Sequence, residues 1–104
     1  MTKSHLNILL TFDTTYSTIF NMKIDDAINE LGKNPKQVRF PRLMTICEAF
    51  FGKARKTGGS HFIYKTPWQG DPRINIQDRG GKAKPEQVKT VIKALHKLQE
   101  MGGK

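Results

Sequence analysis

The sequence predicts an α+β domain in two layers, a three-stranded antiparallel sheet covered on one side by helices. Three observations predict it: apolar residues recur at helical spacing in three segments, three runs favour strands, and the connections between those runs are short and turn-forming. With 104 residues the chain suits a single hydrophobic core, because two cores would leave each half too small to offset its ordering entropy. Its 37% apolar and 26% charged residues fit a folded globular chain rather than a disordered one.

Residues 1–21 are Thr-rich, match neither the helical nor the strand period, and are read as an extension ahead of a natural start at Met22. From Lys23 to Leu31, Ile24, Ala27, Ile28 and Leu31 fall on one helical face, with Gly32 as the expected stop and Asn34-Pro35 beyond it. A second helix is expected from Pro41, with Leu43, Ile46, Cys47 and Phe50 on one face and Gly52 as its end. Ala54 to Thr57, the Gly58-Gly59 turn and Ser60 to Thr66 predict a hairpin, the second run being rich in aromatic and β-branched residues. After a Pro- and Gly-containing connection, Arg73 to Gln77 alternates polar and apolar residues as a half-buried strand does. Asp78 to Lys84 is expected to be a polar loop. Pro85 then opens a long helix with Val88, Val91, Ile92, Leu95 and Leu98 on its buried face.

Eighteen Lys and Arg against nine Asp and Glu give a net charge of +9, which implies a polyanionic partner. The excess is concentrated: residues 53–104 hold twelve basic and four acidic groups, against six and five in residues 1–52. Cys47, the one cysteine, has apolar neighbours and is expected to be a reduced core thiol in a cytoplasmic protein. No apolar run approaches the length of a membrane span. No metal-ligand spacing, acidic pair, phosphate loop or nucleotide fingerprint is present, so neither a metal nor a small-molecule cofactor is expected.

Gly59-Ser60-His61 at the head of a strand, the strand Arg73 to Gln77, the Gly80-Gly81-Lys82 loop and the final amphipathic helix together resemble the HicA toxins. The match runs from about Arg39 to Leu98. The resemblance implies a fold like a double-stranded RNA-binding domain, with a helix, three strands and a helix as its core. Residues 22–38 are then an additional N-terminal helix, 39–100 the toxin-like domain and 101–104 a flexible tail. It also implies an mRNA endonuclease of a type II toxin-antitoxin system, neutralised by a HicB-like antitoxin, with His61 as the catalytic residue. Family members commonly read Gly-Ser-His-His; here Phe62 follows His61, so only the first histidine carries over.

Metal-independent RNA cleavage needs a base for the ribose 2′-OH and a group that stabilises charge on the phosphate. Imidazole suits proton transfer near neutrality, since its ordinary pKa is about 6.5. Gly59 removes side-chain bulk beside His61, and Ser60 offers a hydrogen bond. Arg55, Lys56 and Lys65 around the hairpin, with Lys82 and Lys84 ahead of the last helix, are the candidate phosphate contacts. His96 is expected to have a packing or surface role and His5 none. Trp68 and Tyr64 could stack on bases, but packing is the expected role of Trp68. The alternative to a nuclease is a non-catalytic RNA-binding module of the same fold.

Overall fold

The computed structural model describes residues 22–57, 61–69 and 73–102. Helix α1 spans Ile24–Lys33, a 3-10 turn spans Pro35–Gln37, and α2 spans Phe40–Phe51. Strands β1 (Arg55–Thr57), β2 (His61–Tyr64), β3 (Ile74–Arg79) and β4 (Lys82–Ala83) follow, and then α3 (Pro85–Glu100). The strands pair antiparallel in the order β1-β2-β3-β4. The chain is therefore α+β as expected, but among the described residues the sheet has four strands rather than three. Gly80 and Gly81 adopt φ of 61° and 88°, the two left-handed positions of a tight hairpin turn. The stretch expected to be a loop instead extends β3 to Arg79 and returns as β4. The Asp78 carboxylate accepts the Gly81 N–H at 2.7 Å and fastens the turn.

The segment ahead of α2 covers the outer edge of β4. Arg39 bridges to Lys82, the Ala83 N–H donates to the Val38 carbonyl at 2.9 Å, and the Phe40 N–H donates to the Gly81 carbonyl at 2.9 Å. The first N–H of α2, which its own helix cannot use, is thus satisfied by the Gly-Gly turn. Helix α2 ends at Gly52, as its sequence predicts. Helix α1 passes through Gly32, the expected stop, and ends at Lys33. Pro35 is the physical reason: the residue before a proline is disfavoured from helical conformation, and Asn34 sits at φ −153° and ψ 79°.

Among the described residues, α2 and α3 lie against one face of the sheet, α1 packs on α3, and the three helices share one core. Ala27 and Leu31 of α1, Leu43, Ile46 and Cys47 of α2, and Val88, Val91 and Leu95 of α3 pack with Tyr64, Ile74 and Ile76. Cys47 is buried and unpaired, and burial pushes its thiol well above its usual range, in keeping with a core role. Helices α1 and α2 are tied by a two-pronged pair, with Arg42 Nε 2.7 Å from Glu30 Oε2 and Arg42 Nη2 2.8 Å from Glu30 Oε1. Hydrogen bonding to Arg42 holds the Glu30 carboxyl below its usual range. With side chains 38% and 43% exposed, the pair contributes little beyond geometry, about 1 kcal/mol at most. No helix among the described residues is long and apolar enough to cross a membrane.

Three substitutions probe the backbone and the core. Gly81→Ala places a side chain at a left-handed position and is expected to cost about 1–2 kcal/mol in urea unfolding. Gly32→Ala, in a helix with nothing within 4 Å of the added methyl, should gain about 0.5–1 kcal/mol. The Tyr64 hydroxyl is buried with no hydrogen-bond partner among the described residues. Tyr64→Phe is therefore expected to leave stability unchanged or raise it by about 1 kcal/mol, and a loss of that size in the same assay would show that the hydroxyl is paired.

Candidate functional site

Strand β2 is flanked on both sides, and alternation along it separates two chemistries. Tyr64 is buried beneath the helices, and Phe62 packs against Phe40 with ring centres 5.5 Å apart. His61 and Ile63 face away from the helices. The register sets Thr57, His61 and Gln77 in one cross-strand row and Arg55, Ile63 and Asn75 in the next. None of these six residues is buried, so they form an open sheet surface.

His61 Nδ1 lies 3.2 Å from Asn75 Oδ1. A carbonyl oxygen only accepts, so this contact requires hydrogen on Nδ1 and leaves Nε2 of the neutral ring with a free lone pair. Asn75 is carried by a strand held on both sides. Beyond β2, the Gln77 N–H on its far edge donates to Gln87 Oε1 of α3 at 2.8 Å. The ring orientation is thus set by the sheet rather than by a loop, a suitable arrangement for proton transfer.

The candidate phosphate contacts separate into distinct settings. Arg55 and Lys65 line one cleft of about 290 Å³ together with Lys53 and Arg73, over an apolar floor that includes Phe51 and Ile63. Lys56 lies on the helix side of β1, its Nζ 5.7 Å from the centre of the Phe62 ring. Lys82 donates to Gln37 Oε1 at 3.2 Å. It stands two strands over from His61 and two residues along, about 12 Å between α-carbons by sheet geometry. Lys84 is half-buried at the start of α3. Gly59 and Ser60 lie outside the described residues, as does His5.

Trp68 packs as expected, nearly perpendicular to Phe51 at 6.3 Å between ring centres, with Lys97 Nζ 4.6 Å from its own ring centre. Tyr64 is fully buried and offers no face to a base. His96 is exposed on α3. Among the described residues, no three His, Cys, Asp or Glu side chains gather into a metal-binding group. The sequence reading missed Asn75, Lys53 and Arg73. Asn75 carried a detectable signal, since it is a polar position of an alternating strand, but its neighbour across the sheet depends on register.

Compared with protein-family models, curated proteins and solved structures, the chain matches none of them.

The Asn75 contact makes a spectroscopic prediction. In long-range ¹H–¹⁵N spectra above the histidine titration, His61 is expected to be mainly the Nδ1–H tautomer, whereas free histidine favours hydrogen on Nε2. Asn75→Ala should shift the ratio toward Nε2–H. An Nε2–H ring in the unsubstituted chain would contradict the geometry.

Proposed function

We propose that this chain is an RNA-cutting toxin of the HicA kind, a metal-independent endoribonuclease that acts on mRNA in the cytoplasm and is neutralised by a HicB-like antitoxin. One observation carries the reading: a histidine on an open sheet face, its Nδ1 held by Asn75, beside a cleft lined by four cations. The resemblance around Gly59-Ser60-His61 supplies the activity class. We assign the core to the double-stranded RNA-binding-domain kind on the order α2, β1, β2, β3, α3, with α1 as an N-terminal addition and β4 as a two-residue return of β3.

In this reading Nε2 of His61 takes the proton of a ribose 2′-OH, and the 2′-oxygen attacks the adjacent phosphorus. The P–O5′ bond breaks as the new P–O2′ bond forms, giving a 2′,3′-cyclic phosphate and a 5′-hydroxyl fragment. The leaving oxygen is protonated by water or by the imidazolium that the first transfer creates. The positive field of the chain, with a net charge of +9, favours the charge that builds on the phosphate oxygens. Asn75 acts as a positioning residue, through its contact with the ring.

The test is incubation of unsubstituted chain and His61→Ala with a long mRNA in EDTA, with end-group mapping of the fragments. Cleavage should fall by at least about 10²-fold in His61→Ala, with cyclic phosphate ends in the unsubstituted reaction. Equal cutting by both proteins would remove His61 from the mechanism. Binding without cutting by either would favour the non-catalytic RNA-binding module.

A further inference from the structure

The cleft beside Ile63 differs from the rest of the basic surface. Lys53, Arg55, Lys65 and Arg73 converge on it, all four are exposed, and no carboxylate is among its described lining residues. The ion pair among the described residues joins Arg42 to Glu30, on the helices rather than here. Four like charges around so small a space repel one another, and that repulsion is relieved when an anion enters. Arg55 and Arg73 supply planar forks suited to phosphate oxygens, and Lys53 and Lys65 add point charges. The apolar floor from Phe51 and Ile63 suits the ribose or base attached to such a phosphate better than it suits a free, fully hydrated ion.

The position of the cleft relative to His61 defines which phosphate it takes. Ile63, in the cleft, is two residues from His61 on the same strand face, a separation of about 7 Å. A nucleotide unit has six backbone bonds, twice the three of an amino-acid residue, and so also spans about 7 Å when extended. We infer that this cleft is a subsite for the phosphate next to the one facing His61, so that an RNA strand crossing the open sheet face is held one nucleotide away from its reacting bond. The inference rests on the RNA reading above and adds what that reading lacks, a direction in which the strand lies: from His61 toward Ile63 and the Arg55–Arg73 end of the sheet. An acidic protein segment could satisfy the charge, but nothing in its chemistry calls for the one-nucleotide spacing.

The experiment uses short ligands that cannot be cleaved. A 2′-O-methyl dinucleotide, the same dinucleotide with a 5′-terminal phosphate, and the same with a 3′-terminal phosphate are titrated into the full chain, with binding read from the His61 ring resonances. One terminal phosphate, and not the other, is expected to tighten binding about tenfold. In Lys65→Ala/Arg73→Ala, whose altered side chains are both exposed, that gain, taken as the ratio to the unphosphorylated dinucleotide on the same double variant, should fall below about twofold. Equal gains from both ends, or a gain that survives in the double variant, overturns the subsite. So does a double variant that keeps the phosphate gain but loses binding of an oligoglutamate peptide, which assigns the cleft to an acidic partner. If the plain dinucleotide never perturbs His61, it is the RNA reading itself that fails.

Discussion

The ladder on both sides of β2 is the constraint from which the rest of the molecule follows. Thr57 pairs with His61 on one side and Gln77 pairs with it on the other, while Tyr64 faces Ile74 at the far end. Because side chains on a strand alternate with a period of two, this register sends Tyr64 and Phe62 to the helices and His61 and Ile63 to the opposite face. A slip by one residue would drive an imidazole into the core and expose a phenol. The apolar packing of α2 and α3 against Tyr64, Ile74 and Ile76 therefore fixes the position of the histidine as firmly as any contact the histidine makes itself.

The positive charge, concentrated in the second half of the sequence, is divided by the fold into groups with different settings. Lys56 and Lys97 lie over aromatic rings, and Lys82 is hydrogen-bonded to Gln37. These side chains contribute to the long-range field, but their local geometry is already committed to the protein. Lys53, Arg55, Lys65 and Arg73 have no carboxylate among the described lining of their cleft and converge from four places in the chain: just after α2, β1, and each side of the connection between β2 and β3. In the proposed reading, steering of a polyanion and seating of a phosphate are served by different lysines and arginines.

The helices were legible in the sequence because their apolar faces repeat at helical spacing over many residues, and β3 was legible because Ile74 and Ile76 alternate with polar neighbours. Two boundaries were not. Gly32 looked like a stop because glycine commonly ends helices, yet Pro35 acts more strongly by restricting the residue before it. Asp78 to Lys84 looked like a loop because it is polar, whereas the pair Gly80-Gly81 has the conformational freedom that a two-residue hairpin requires. At the site, His61 could be singled out from its local motif. Asn75 and Arg73 could not, since both acquire meaning only from strand register and from the meeting of segments 14 or more residues apart, which no local pattern encodes. Gly59 and Ser60 fall outside the described residues.

Among the described residues, strand β1 is the sheet's open margin: three residues long, with Arg55 and Lys56 at its start and Lys53 just before it, while β4 at the other margin is covered by Val38 to Phe40. Unpaired backbone groups at a sheet margin are a template for a second copy, and chains that leave one bare tend to polymerise. Here any such approach must bring like charges from both copies to within a few ångströms, over a stretch too short to offset the repulsion. The basic residues proposed to meet an anionic strand thereby also oppose edge-to-edge pairing of two copies, and salt at about 1 M, where screening shortens to about 3 Å, weakens that opposition.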